Sequence, residues 1–340
     1  MRWFKTKSEQ SAVETSKEQE TVSPAILNTA VLFLVFNRPD TTRQVFEAIR
    51  KAKPPRLYIA ADGAREKRKG EAEKVAKVRE IATAVDWPCE VMTLFRDDNL
   101  GCKSAVSSAI TWFFEHEDQG IILEDDCLPH SDFFNFCDNL LNRYTDDERV
   151  WVITGNNFQN GRKRGEASYY FSKYNHCWGW ATWRRAWQHY QGELPFWIDW
   201  KRSEDWQHKM PDPVEQRYWR AIFERVRAGQ IDSWAYPWTA SVWYRGGLTA
   251  TPNVNLVSNI GFGAESTHTS SVDSPLANMS TAELGDLIHP NDVLQNIEAD
   301  RYVFDNAFGG RNIRLPWSLL KLPRRLASFA YRKLKRGVCE

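Results

Sequence analysis

Between Ala30 and Asp126 the chain alternates short, unbroken β-prone runs with helical stretches, and that alternation leaves few folds open to it. The runs are Ala30-Val31-Leu32-Phe33-Leu34-Val35-Phe36, Arg56–Ala61, Cys89–Phe95 and Gly120-Ile121-Ile122-Leu123-Glu124. Continuous apolar runs of this length suit strands covered on both faces. After the first run, Asn37-Arg38-Pro39-Asp40 signals a turn, and Asp40 or Thr41 can cap a helix carrying Val45, Phe46 and Ile49. A charged helix with Val75, Val78 and Ile81 follows Asp62-Gly63, and one with Ala105, Val106, Ala109, Ile110 and Phe113 follows Asn99-Leu100-Gly101. Such βαβ units predict an α/β fold with a mostly parallel, doubly wound, Rossmann-like sheet.

The second half is patterned differently. A helix over about 132–144 leads to Val150-Trp151-Val152-Ile153-Thr154, after which the chain becomes aromatic and loop-rich, an insertion built onto the sheet. Most of the 16 Trp residues lie here, which predicts an aromatic-heavy core in preference to an aromatic-lined cavity. An amphipathic helix over about 214–228 precedes the strand-like stretch 238–244 and a break at Gly246-Gly247. Residues 1–28 lack an apolar period and are expected to form a flexible tail, residues 29–310 the folded domain, and residues 311–340 a second tail rich in Arg and Lys. A net charge of +1 gives no global preference for nucleic acid, and none is expected as a partner. Six cysteines without CxxC pairing suggest reduced thiols in a cytoplasmic protein. No secretory h-region and no membrane-length apolar run is seen.

The chemistry concentrates where the fourth run ends. Glu124, Asp125 and Asp126 are three adjacent carboxylates at a strand end, the place where open α/β sheets bind ligands, and a divalent cation with a phosphate would neutralise them. No GxGxxG follows the first run and no GxxxxGK[ST] occurs, which disfavours dinucleotide and P-loop chemistry. Arg38 and Asp62 stand at the first two strand ends, a guanidinium and a carboxylate able to hydrogen-bond a base and a ribose.

Asn37-Arg38-Pro39, Ala61-Asp62-Gly63, Asn99-Leu100-Gly101, Leu123-Glu124-Asp125-Asp126, Trp178-Gly179-Trp180 and Phe196-Trp197-Ile198-Asp199-Trp200 together resemble the GT-A glycosyltransferases, over roughly residues 29–310. Within these the chain is similar to bacterial nucleotide-diphospho-sugar transferases related to the N-acetylglucosaminyltransferase I group. The resemblance implies a GT-A type fold with an aromatic-rich acceptor-side insertion. It also implies a nucleotide-sugar donor, usually UDP-linked, whose diphosphate is bridged by Mn²⁺ or Mg²⁺ to Asp126. Asp125 would then lie near the donor ribose and sugar, and Arg38, Asp62, Gly101 and Glu124 would belong to the donor site. His268, after the glycines at 261 and 263, would be a metal ligand or a diphosphate contact.

A hexosyl or N-acetylhexosaminyl transfer to a hydroxyl of a glycan or lipid-linked acceptor, with inversion as the resemblance implies, needs a general base. Asp199 in Trp197-Ile198-Asp199-Trp200 is the first candidate and Asp232 in Ile231-Asp232-Ser233-Trp234 the second, because flanking Trp faces stack on sugars and desolvate a carboxylate. The chain departs from the family pattern at Ile198 and Ala235, so the base stays open between them. Two alternatives remain: a sugar nucleotidyltransferase, and a non-catalytic carbohydrate-binding protein. Beyond Pro323, Leu326, Phe329, Ala330 and Leu334 recur at helical spacing among Arg and Lys, a basic amphipathic helix that would either hold the enzyme on an anionic membrane surface, the inner face of the plasma membrane, for polysaccharide biosynthesis, or pack back on the catalytic domain with its basic face in water.

Overall fold

The computed structural model describes residues 27–262 and 274–314. In chain order the elements are β1 (Val31–Val35), α1 (Pro39–Ala52), β2 (Arg56–Ala61), α2 (Glu71–Ala82), β3 (Glu90–Phe95), α3 (Gly101–His116), β4 (Gln119–Glu124), β5 (Cys127–Pro129), α4 (Ser131–Arg143) and β6 (Val150–Thr154). They continue with β7 (Tyr169–Ser172), β8 (Trp180–Trp183), α5 (Arg184–Trp187), α6 (Trp197–Trp200), α7 (Glu204–Lys209), α8 (Pro213–Arg227), α9 (Ala235–Tyr244), β9 (Leu248–Pro252), β10 (Val257–Asn259), α10 (Ile297–Asn306) and α11 (Gly310–Ile313). Eight strands form one sheet in the order β3-β2-β1-β4-β8-β6-β9-β7, and β10 with β5 form a small second one. β3, β2, β1 and β4 are mutually parallel, as the βαβ alternation predicts. β8 enters antiparallel between β4 and β6, and β7 antiparallel beside β9, so the sheet is mixed on its second side, with four of its seven pairings parallel. This is the expected Rossmann-like α/β arrangement.

β1 shows why its run is apolar throughout. Val31, Phe33 and Val35 pack on one face with Val45, Phe46 and Ile49 of α1 and Phe133, Phe136 and Leu140 of α4. Leu32 and Leu34 point to the other face, against Ala109, Ile110 and Phe113 of α3 and the tryptophans of the second half. Seven of the twelve largest fully buried side chains are Trp, so the aromatic half is built as core. Leu27 is already buried in the first of these cores, two residues before the expected domain start.

Two local expectations fail. α1 begins two or three residues earlier than an Asp40 or Thr41 cap requires: Arg38 is the N-cap, Pro39 occupies the first turn, and the Thr42 hydroxyl donates to the Arg38 carbonyl at 2.7 Å. The strand-like stretch 238–244 is the helix α9, whose residues Pro237 through Val242 and Trp243 are buried on every side. A helix covered all round loses the polar stripe by which its period is read. The break at Gly246-Gly247 does occur, with Gly246 at φ +78° and Gly247 pressed on Trp151, where a Cβ would fall 2.5 Å from the ring.

Candidate active site

Two strand ends bring the charged groups together. β1 and β4 run side by side with Leu34 opposite Glu124, so the acidic triplet opens just beyond the end of β1 where the chain turns through Asn37 and Arg38. Asp125 is drawn inward, where one oxygen accepts the Phe36 amide at 3.1 Å. Asp126 faces the other way: the Arg38 guanidinium reaches it at 2.5 Å and stands 3.7 Å from Asp125. The next residue starts β5, which pairs with β10, and the Ile260 amide donates to the Asp126 carbonyl at 2.8 Å. Gly261 then lies directly on the pair, where a Cβ would fall 2.1 Å from an Asp126 oxygen and 2.5 Å from Arg38. Only glycine lets the backbone approach so closely.

Arg38, Glu124 and Asp126 line one part of a cavity of about 500 Å³. Trp178, Trp219, Trp234, Tyr236 and Phe308 form an aromatic wall of the same cavity, and Arg225 of α8 lines it as well. Burial, then Asp126 and Asp125, push Glu124 up to about 8. Burial also raises Asp125, to about 7, against the pull of Arg38. Burial works against the charge on Arg38, but Asp125 and Asp126 outweigh it and hold the guanidinium protonated. The Cys102 thiol, also on the cavity, is pushed up to about 12 by burial with Glu124 and Asp232, which makes it a poor nucleophile. His176 is lowered to about 3 by burial and stays neutral against Phe158 and Phe308.

The implied Mn²⁺ or Mg²⁺ fits this place under one condition. Among the described residues no group of three or more His, Cys, Asp or Glu side chains could hold a metal ion. Asp126 and Glu124 offer hard oxygen donors on the cavity. One or two carboxylates plus substrate phosphates is the usual ligation of Mg²⁺, so these residues suit an ion that arrives with a diphosphate rather than one caged by protein.

The other expected site residues are placed unequally. The Asp62 carboxylate is occupied by the Leu100 amide at 3.0 Å and the Gly101 amide at 3.2 Å, and it does not line the cavity; its visible work is to clamp the turn into α3. Gly101 adopts φ +78° in that turn. Asp232 is exposed at the cavity rim: its neighbours Ile231 and Ser233 line the cavity, and one of its oxygens accepts the Lys103 amide at 3.1 Å. Asp199 is not brought to the site. It is exposed on α6, while Trp197 and Trp200 turn inward to meet Trp206 at ring distances of 4.9 and 5.0 Å, so no Trp face flanks the carboxylate. His268 lies outside the described residues, as does the chain beyond Arg314. The cavity residues Asn156, His176, Ile222, Arg225 and Phe308 were not singled out from the sequence. Ile222 and Arg225, three apart on α8, were the one local signal.

No family model matches the sequence, and no curated protein matches it. Solved structures with some likeness include HddC from Yersinia pseudotuberculosis, at 9% identity and TM-score 0.28, covering 46% of this chain and 77% of that one. A UDP-glucose pyrophosphorylase complexed with UDP-glucose has 11% identity and TM-score 0.24, covering 43% of this chain and 62% of its own. The inositol-1-phosphate CTP transferase from T. maritima has 8% identity and TM-score 0.32, covering 66% and 85%. Likenesses this small carry no argument about activity.

Proposed function

We propose that the chain is a metal-dependent transferase acting on a sugar nucleotide, and that it moves the sugar to an acceptor hydroxyl in the manner of a GT-A glycosyltransferase. The observation that carries the reading is the shared cavity: Glu124, Asp126 and Arg38 at one part and an aromatic wall at another, with Asp232 at the rim. The acidic part suits a cation with a diphosphate, and the aromatic wall suits the apolar faces of sugar rings. When bound, the metal would stabilise charge on the departing diphosphate. The residues that hold it, with Asp126 first, also set the donor's position. Asp232, with one oxygen fixed by the Lys103 amide and the other free of that bond, is the carboxylate we assign as base in place of Asp199. A UDP-linked donor and a glycan or lipid-linked acceptor complete the reading.

Nucleotidyl transfer is the second reading; a pyrophosphorylase and a CTP transferase are among the solved structures with some likeness, at similarities too small to weigh for either reading. Against it stands the turn after β1, Phe36-Asn37-Arg38-Pro39, which has no glycine, and whose arginine is already turned onto Asp126. A panel of sugar nucleotides with Mn²⁺, and in parallel nucleoside triphosphates with sugar 1-phosphates, separates the two. Release of nucleoside diphosphate supports glycosyl transfer. Release of pyrophosphate replaces it with the second reading, and release of neither leaves a carbohydrate-binding protein.

A further inference from the structure

Arg38 is more than a donor contact. Its guanidinium meets the Asp126 carboxylate at 2.5 Å and stands 3.7 Å from Asp125, and Gly261 packs so closely on the pair that there is no room for a side chain above it. Asp126 and Asp125 both lie within reach of the guanidinium, side chains largely withdrawn from water, and a carboxylate enclosed in this way is costly without a countercharge whether or not a ligand is present. Among the described residues the nearby cation that answers them is Arg38. A metal ion seeking Asp126 must therefore displace a charge-assisted hydrogen bond, and the displaced guanidinium must find a new anion.

We propose that Arg38 is a resident counter-cation exchanged for the metal: it holds Asp126 in the ligand-free protein, and it moves to the diphosphate when metal and donor enter together. The consequence is coupling. Metal alone binds poorly because it has to strip Arg38 from Asp126 and leave the guanidinium unpaired in the cavity. With a diphosphate present Arg38 exchanges one anion for another, and both ligands bind better than either does alone. The inference rests on the metal and donor reading given above.

The test is Mn²⁺ binding, measured by electron paramagnetic resonance with Mn²⁺ alone and with Mn²⁺ plus UDP, on the full chain and on Arg38→Met. The parent is expected to bind Mn²⁺ alone weakly and to bind it at least roughly tenfold tighter with UDP, the size of one charge-assisted bond regained. Arg38→Met is expected to bind Mn²⁺ alone roughly tenfold tighter than the parent and to lose most of the gain from UDP. Arg38→Lys, which keeps a charge without the planar fork, should fall between them, and it supplies the comparison if Arg38→Met does not fold. If UDP promotes Mn²⁺ binding in the parent while the substituted proteins bind Mn²⁺ alone no better, the exchange is refuted and the metal reading stands. If no protein binds Mn²⁺ with or without UDP, the metal reading itself falls and the exchange with it.

Discussion

Asp126 and Asp232 sit at the two places where a single charge decides what this cavity can do. Asp126→Asn keeps the shape and removes the charge, leaving Asp125 at 3.7 Å as the remaining anion for Arg38, so the fold should lose roughly 1 to 3 kcal/mol. The melting temperature of the parent should rise with UDP-sugar plus Mn²⁺, and that of Asp126→Asn should not; an equal rise in both would take Asp126 out of the site. Asp232→Asn keeps an acceptor for the Lys103 amide, so it tests the charge without releasing the turn. It is expected to lower kcat and kcat/KM together by roughly 10² to 10⁴, as loss of a base does, while Asp199→Asn on its exposed turn changes neither. A change confined to KM in Asp232→Asn would make it a binding residue.

At the scale of elements, the Glu71 carboxylate joins three of them near the site. It accepts from the Asn37 side chain at 2.8 Å in the turn after β1, from the Arg65 amide at 2.8 Å, and from the Arg65 guanidinium, all from the first turn of α2. These bonds, those from the Arg65 guanidinium foremost and against the cost of burial, hold it down at about 2 from an ordinary 4.5. The folded state thus binds a proton here less readily than the unfolded chain, so the contribution is complete above about 4.5 and is lost as pH falls towards about 2. Glu71→Gln should cost roughly 1 to 2 kcal/mol at neutral pH and flatten the acid limb of a stability curve measured by urea unfolding between those values. The elements themselves were readable where cover on both faces made a strand uniformly apolar, as in β1 and β4. They were unreadable where cover on every side erased a helical period, as in α9. The acidic triplet and Arg38 were legible because each closes such a run. Asp199 was misleading for a geometric reason. Trp197 and Trp200 are three apart on one turn and share its inner face, while Asp199 falls on the outer one, and the sequence does not say which face is inner. The aromatic wall, assembled from Trp178, Trp219, Trp234 and Phe308, is a product of tertiary folding with no local pattern.

Across the whole molecule, the wall of the cavity depends on a buried polar network at the far edge of the sheet. Lys173, just past the edge strand β7, keeps its side chain 4% exposed and its ammonium 2.9 Å from Glu215 of α8. The Tyr174 hydroxyl donates to the same carboxylate, the Trp243 indole of α9 donates to the Lys173 carbonyl, and Asp300 of α10 accepts from the Ser172 hydroxyl and the Lys173 amide. Lys173 therefore ties together three helices, and α8 is the helix that carries Trp219, Ile222 and Arg225 to the cavity. Removing one partner of such a pair leaves a buried charge unanswered, which costs about 3 to 5 kcal/mol, whereas replacing both with apolar groups of similar volume is often neutral. Glu215→Leu is expected to lower the urea midpoint accordingly, with the slope unchanged, and Lys173→Met combined with Glu215→Leu to restore most of it. The same pair of proteins then separates stability from function. The double replacement keeps α8 packed and should retain the thermal shift with UDP-sugar and Mn²⁺, while Glu215→Leu alone, by loosening α8, should lose part of it. A double replacement no more stable than Glu215→Leu would show that the helices are held by their aromatic contacts and not by this ion pair.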